Sequence, residues 1–238
     1  MATLNEIVFS ILDTIRPENM TNSDISEELV KFHIKNIRAM LIKQDVNKGH
    51  SVDSYIIQSL GCIGLVSVDK SDCCEVPTGC KVLRTEIAIP SPIEMYNRQL
   101  ITRVGPVDRL DKMWQQIEYE RVPFTGSNKY TKGLVKWFTM NNDGYIYILV
   151  DEHDYLASSI EYVNIQGVWE DPMDVSSFSN CNTGTTCFNP STSKYPIKEH
   201  MIPTLIEMVL KKFVIMQAQA PVDRSNDSST NPEVTLTK

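Results

Sequence analysis

The chain has 238 residues, of which 42% are hydrophobic and 22% are charged, and these proportions are ordinary for a globular protein. The formal net charge is -7, so the chain lacks the basic surface with which proteins bind nucleic acid or anionic membranes. No stretch approaches the ~18 apolar residues that cross a membrane. The first residues have neither the basic start nor the cleavage site of a signal peptide. We therefore expect a protein that is made and kept in the cytoplasm, with no membrane partner.

The first 45 residues are predicted to form a helical hairpin. In residues 4–16 the apolar side chains recur at helical spacing, and a proline directly after this segment ends the helix. Residues 21–24 are Thr, Asn, Ser and Asp, the residue types that cap the N-terminus of a helix. Glu27 and Glu28 follow them, and their negative charge suits the first turn of a helix. The second helix should run to about residue 44 and bury one apolar face. That face consists of Ile25, Leu29, Phe32, Ile37, Met40 and Leu41.

Residues 46–197 are predicted to form a β-rich domain, because short β-prone runs alternate there with clusters of Gly, Pro, Asn and Asp. This pattern is typical of an antiparallel sheet or a small barrel. The predicted strands are Leu60–Val68, Lys81–Ile89, Leu100–Val104, Leu134–Thr139, Tyr145–Val150 and Ile160–Val168. The strands at 134–139 and 145–150 make the clearest hairpin, since the residues that connect them include Asn142, Asp143 and Gly144, which tolerate a positive φ. Residues 107–118 could form one or two turns of helix.

The chain is predicted to close with a helix over residues 198–217 and a flexible polar tail over 218–238. Eight apolar residues give the helix a broad apolar surface, and Pro203 must lie in its first turn. The tail has no aromatic residue and little apolar content, which is typical of a segment that is disordered in an isolated chain. It is either a frayed terminus or an arm that orders on a partner. The predicted fold class is therefore α+β.

No catalytic constellation is recognisable, and we expect no enzyme and no cofactor. The sequence has no glycine-rich phosphate loop, no nucleophile elbow and no zinc-protease motif. The triplet Glu152-His153-Asp154 is the one alternative that would suit a hydrolase. Successive residues of an extended segment point to opposite faces, however, so these three side chains should not converge.

The six cysteines leave a second alternative open. In a reducing cytosol the default state of a cysteine is a free thiol or a metal ligand rather than a disulfide. Cys74 and Cys80 are separated by five residues, as are Cys181 and Cys187. This spacing is wide for zinc, but both pairs lie in loop-like stretches. A cytoplasmic zinc-binding interaction module held by these four cysteines is the alternative function.

Several segments resemble those of a known family. They are ISEELVKFHIKNIRAMLIKQD at 25–45, SLGCIGLVSVD at 59–69, CKVLRTEIAIP at 80–90, ITRVGPVDR at 101–109, VNIQGVWEDP at 163–172 and YPIKEHMIPTLIEMVLKK at 195–212. Together with the order of elements, they resemble the neck or ring proteins (head–tail connectors, portal adaptors) of crAss-like tailed bacteriophages.

The resemblance implies a structural protein of the virion neck. Such a protein would form a ring between the capsid portal and the tail. The ring would have twelve copies, because the portal of such phages has twelve. Its expected partners are the portal protein, other neck or tail ring proteins and further copies of itself. DNA would pass through the channel without sequence-specific binding, and an acidic wall would suit this because it does not trap DNA. Assembly would take place in the host cytoplasm.

The resemblance also implies helices at the contacts between subunits and a C-terminal extension on the portal. The closing helix and the arm over residues 219–238 are the candidate regions. The individual interface candidates are Phe32, Arg38, Leu205, Val209, Phe213, Pro221, Val222 and Val234.

Overall fold

A computed structural model describes residues 2–15, 25–69, 81–96, 98–108, 111–127, 135–139, 143–149, 160–181 and 183–218. Within these residues, three α-helices and eight short strands make an α+β fold, as the sequence predicts. The predicted tail after residue 218 and the capping cluster at 21–24 lie outside the described residues.

The three helices pack against one another as a bundle. Helix α1 spans Leu4–Ile15, α2 spans Glu27–Asn47 and α3 spans Ile202–Ala218, and each helix contacts the other two. Helix α2 begins at Ser26, whose hydroxyl accepts a hydrogen bond from the N–H of Leu29 at 3.2 Å. Pro203 is the second residue of α3, in the first turn where proline is tolerated. The bundle core joins both ends of the chain, with Leu4, Ile7, Val8, Ile11, Leu12, Val30, Ile34, Ile37, Leu41, Leu205, Val209 and Phe213 among its members.

The buried side of α2 differs from the predicted apolar face. Phe32 and Met40 are 51% and 41% exposed, whereas the predicted members Ile37 and Leu41 are buried. The buried set is Val30, Ile34, Ile37, Arg38, Leu41, Ile42 and Asp45. This shift arises because α2 packs on two partners: part of its buried arc meets the other helices, and Ile42 meets a separate cluster with Ile56, Ile93, Leu100 and Val168.

One sheet contains all eight strands. They are β1 Gln58–Ser59, β2 Ile63–Asp69, β3 Lys81–Thr85, β4 Ile101–Pro106, β5 Gln115–Gln116, β6 Lys136–Thr139, β7 Ile146–Leu149 and β8 Tyr162–Gly167. Their order is β1-β8-β2-β3-β7-β6-β5, and β4 pairs with β8 on the edge opposite β1. All pairs are antiparallel except β5 with β6, so the sheet is mixed.

The sheet curls until its two ends meet. The N–H of Trp114, directly before β5, donates to the carbonyl of Val104 in β4 at 2.8 Å. A glycine is needed beside this junction, because a Cβ on Gly105 would lie 2.5 Å from the carbonyl oxygen of Lys112. The concave side holds a second core that includes all three tryptophans. Its buried members are Leu60, Ile63, Ile89, Ile101, Val104, Trp114, Trp137, Ile146, Ile148, Val163, Ile165, Trp169, Val175, Phe178 and Phe188.

The prediction of helix at 107–118 is wrong for the part that the structure describes. Residues 115–116 form β5, and a 3-10 helix follows only at Tyr119–Ser127. The N–H groups of Gln115 and Ile117 donate to the carbonyls of Val135 and Trp137, so pairing with β6 takes the place of helical hydrogen bonds. The predicted hairpin is confirmed: β6 and β7 pair antiparallel, and Gly144 has a φ of 76° in the turn.

Candidate interaction surfaces

Two helices of the bundle present aromatic side chains to solvent. Phe9 of α1 is 68% exposed and Phe32 of α2 is 51% exposed. Both lie on the side of their helix opposite the bundle core, because the residues that pack inward, Ile7 and Ile11 in α1 and Val30 and Ile34 in α2, occupy the other side. A helix that exposes apolar side chains at such positions is suited to a further contact. Phe32 is therefore accessible, and its role at an interface stays a prediction.

Arg38, another interface candidate, is not accessible. Its side chain is completely buried; Nε donates to the carbonyl of Pro196 at 2.8 Å, and Nη1 donates to the carbonyl of Trp169 at 2.7 Å. The guanidinium carbon lies 5.7 Å from the ring centre of Tyr195. Burial lowers the pKa of Arg38 and raises the pKa of Tyr195 to about 12. The expectation of an intersubunit role for Arg38 is corrected: it holds α2 against two distant carbonyls of its own chain.

The three interface candidates in the closing helix are also internal. Leu205, Val209 and Phe213 are buried against α1 and α2, so their apolar surface is used within the chain and is not available to a partner. The edge of the Phe213 ring meets His33 of α2 with the ring centres 5.3 Å apart. Pro221, Val222 and Val234 lie outside the described residues.

An ionic cluster connects the end of α2 to the segment that leads into α3. Nζ of Lys198 lies 2.6 Å from Oδ2 of Asp45 and 3.0 Å from Oδ2 of Asp53. The other oxygen of Asp45 lies 2.6 Å from Nδ1 of His50. Hydrogen bonds from His50 and Lys198 lower the pKa of Asp45, and the bond to Asp45 is the main reason that the pKa of Lys198 is raised. Lys198 and Asp45 are both almost fully buried, so this cluster stabilises the fold rather than forming an exposed charged patch.

A β-hairpin over residues 178–187, described apart from residue 182, lies against the sheet core, of which Phe178 is a buried member. Cys181 of this hairpin forms a disulfide with Cys62, 119 residues earlier. Within the hairpin, Cys187 donates its N–H to the carbonyl of Phe178, and Asn180 donates to Thr185. The backbones meet closely at its base, because a Cβ on Gly61 would lie 2.1 Å from the carbonyl oxygen of Ser179.

The disulfide corrects the expectation that the cysteines are thiols or zinc ligands. Cys181 is bonded to Cys62 and is therefore not a thiolate ligand, while Cys187 keeps a thiol whose pKa burial raises. Cys74 and Cys80 lie outside the described residues, as does the Glu152-His153-Asp154 triplet. Within the residues that the structure does describe, no three His, Cys, Asp or Glu side chains are grouped so as to hold a metal ion. None of the helices in this part of the chain is long and apolar enough to cross a membrane.

Comparison with known proteins identifies the family. A family model described as "Phage tail ring protein 2" matches residues 6–233. The chain belongs to this family. Ring protein 2 of Bacteroides phage crAss001 is 26% identical over 215 residues, an alignment that covers 88% of this chain and 89% of that protein.

Membership in the phage tail ring protein 2 family makes the chain a structural ring protein of a bacteriophage, and so a component of the virion. The match includes the three helices from residue 6 onward, the curled sheet and the hairpin at 178–187, so it covers the described fold except residues 2–5. The predicted resemblance to phage ring proteins is confirmed. For a phage tail ring protein the surfaces that matter are those that meet other subunits. The exposed sides of α1 and α2 are one candidate site of this kind, beside exposed aromatic side chains elsewhere on the described surface such as Tyr96 and Phe124.

Proposed function

We propose that the chain is a subunit of a ring in the neck of a tailed phage particle, where it docks on the portal, continues the DNA channel and joins the capsid to the tail. The observation that carries this proposal is the match to the phage tail ring protein 2 family over nearly the whole chain. The proposed ring has twelve copies, because the portal below which it would sit has twelve. In this role the chain performs no catalysis and needs no cofactor.

The charge of the chain supports a place beside moving DNA. With a net charge of -7, twelve copies would bring about 84 excess negative charges to the ring, and a channel of this sign does not hold the phosphate backbone. DNA would therefore pass without sequence-specific binding. The proposed protein partners are the portal, the other neck or tail rings and neighbouring copies of the chain.

The distribution of exposed apolar side chains supports self-assembly. A cyclic ring is built from heterologous contacts, so each subunit needs two different adhesive faces. Phe9 and Phe32 expose most or half of their surface on different helices of the same bundle. Phe32 thus remains an interface candidate. The C-terminal arm with Pro221, Val222 and Val234 is proposed as the portal contact, with assembly in the host cytoplasm.

The test is a cryo-EM reconstruction of the neck of purified particles, with this chain traced into the density. We expect a closed ring next to the portal, with twelve copies or with the same number of copies as the portal. The C-terminal arm should contact portal density. The control is the same particle treated to remove the tail, in which the ring should stay with the capsid. A ring found only in the distal tail would contradict the neck position, and absence of the chain from particles would contradict the structural role.

A further inference from the structure

The exposed sides of the first two helices carry opposite charge. On α1, Glu6, Phe9, Ser10 and Asp13 are all exposed, and their spacing of three and four residues puts them on one stripe, here named the acidic face. Helix α1 contains no basic residue. On α2, the corresponding stripe is here named the basic face. It consists of Phe32, Lys35, Asn36, Met40 and Lys43, and no acidic residue lies between Phe32 and Lys43.

The described residues of the chain leave the apolar side chains of both faces exposed. Over residues 202–213, where the side chains of α3 are described, this helix contributes no large exposed apolar side chain, and one of its outer lysines, Lys211, pairs along the helix with Glu207 at 2.6 Å. By contrast, Phe9, Phe32 and Met40 are exposed apolar side chains. Phe32 has two neighbours on its own helix: Nζ of Lys35 lies 5.8 Å from its ring centre, and the His33 ring meets it edge-on at 5.6 Å. An aromatic side chain has few torsion angles to lose when a partner covers it.

The signs of charge decide what can cover these faces. Two acidic faces would repel one another, as would two basic faces, so a symmetric dimer through either face is disfavoured. One acidic face against one basic face brings opposite charges and apolar side chains together. Such a pairing is heterologous, and every copy of the chain carries both halves of it. This is the kind of contact that closes into a ring.

We infer that the acidic face of α1 in one subunit packs against the basic face of α2 in the next copy of the chain. Phe9 then lies against Phe32 and Met40 of the neighbour, and Asp13 and Glu6 lie near Lys43 and Lys35. Lys35 also pairs with Asp171 of its own chain at 3.1 Å, so Lys43 is the amine that we expect nearest the neighbour's carboxylates. This inference rests on the proposed ring and names the two surfaces that join its subunits.

The test uses zero-length carbodiimide cross-linking of purified phage particles, because this reagent joins a carboxylate to an amine only where the two groups touch. The cross-linked dimer of this chain is digested and its linked peptides are identified by mass spectrometry. We expect the α1 segment, linked through Asp13 or Glu6, to be joined to the α2 segment through Lys43 or Lys35. The same reaction on the dilute monomeric full chain is the control. It should not give this link, since Asp13 and Lys43 are exposed and each lies away from the bundle core on its own helix.

Charge reversal provides a second arm. Asp13→Lys and Lys43→Asp should each lower the yield of cross-linked dimer in particles about tenfold, and the double variant should restore most of it because the charges are again complementary. Glu161→Lys is the matched control. Glu161 is exposed directly before β8, outside both faces, so the same change of charge there should leave the yield of cross-linked dimer within about twofold of the unaltered chain.

The outcomes separate this inference from the proposed function. Dimers linked only through other segments, no dimer at all in particles that contain the chain, or a double variant no better than the single ones would overturn the α1–α2 contact and leave the ring standing. Absence of the chain from particles would instead overturn the proposed function.

Discussion

Removing the disulfide by replacing both Cys62 and Cys181 with serine should destabilise the fold by several kilocalories per mole. The bond closes a loop of 119 residues, and the chain-entropy relation gives ~5 kcal/mol for a loop of that length, against the 2–4 kcal/mol that native bridges commonly contribute. The loss of packing should be small, because Cys181 is exposed and Cys62 only half-buried. We therefore expect a loss of about 3–5 kcal/mol in the free energy of unfolding.

The assay is unfolding in guanidinium chloride followed by tryptophan fluorescence. Trp114, Trp137 and Trp169 are all buried in the sheet core, so their emission reports the part of the fold that the hairpin at 178–187 covers. The full chain is measured with and without a thiol reductant, beside the double serine variant, and the free energies come from linear extrapolation.

The control is Cys187→Ser, which removes the half-buried thiol of the same hairpin without touching the bridge. This variant should remain sensitive to reductant, whereas the double serine variant should not respond to it. Equal stability of the oxidised and reduced chain would refute the entropic reasoning. Recovery of Cys62 and Cys181 as alkylated thiols from the non-reduced protein would refute the bond itself.

Three further predictions concern stability. Gly61→Ala should lower the free energy of unfolding by more than ~2 kcal/mol, because Gly61 has a φ of 72° and the new Cβ would clash with the carbonyl oxygen of Ser179. Gly184→Ala is the control: its φ is 64° but the space around it is open, so the loss should be about 1 kcal/mol. Thermal unfolding compares the two variants, and equal losses would contradict the steric argument. Arg38→Lys should lower the free energy of unfolding in denaturant by roughly 2–4 kcal/mol, since a lysine cannot bridge the carbonyls of Pro196 and Trp169 and leaves one of them unpaired. Lys43→Met, on the exposed side of the same helix, is the control and should change this free energy by no more than ~0.5 kcal/mol. The pKa of Asp45 is lowered, so the stabilisation by this carboxylate is present above its unfolded pKa of roughly 3.9 and is lost as the pH falls through its folded pKa. The pKa of Lys198 is raised, so the stabilisation by this amine is lost only as the pH rises through its folded pKa. The free energy of unfolding, measured against pH, should therefore fall less steeply in acid for Asp45→Asn than for the unaltered chain, and equal slopes in acid would count against the ion pair.

Short-range patterns predicted most of the secondary structure. The helices at 4–16 and 198–217 were placed to within a few residues by the spacing of apolar side chains, because that spacing repeats inside a single element. The hairpin of β6 and β7 was recognisable for the same reason, since its turn residues and both of its strands lie within twenty residues of chain. The family resemblance, too, depended on contiguous segments.

Residues whose partners are distant were misjudged. The sequence makes Arg38 an interface candidate, but its two carbonyl acceptors are 131 and 158 residues away in sequence. The sequence predicts an adhesive surface at Leu205, Val209 and Phe213. They pack instead against α1, which lies about 190 residues earlier in the sequence. The short strand at 115–116 was read as helix because its pairing with β6 leaves no local trace.

The sequence by itself therefore determined which segments are helical or extended, the acidic character of the chain and its membership of a ring-protein family, because each of these is written in neighbouring residues or in composition. Only the tertiary structure decided which apolar and charged side chains remain outside. Phe9, Phe32 and Lys43 are available to another subunit, while Arg38 and Phe213 are not. Exposure depends on how the helices and the curled sheet pack together, and a helical stripe of given composition can face either the core or a partner.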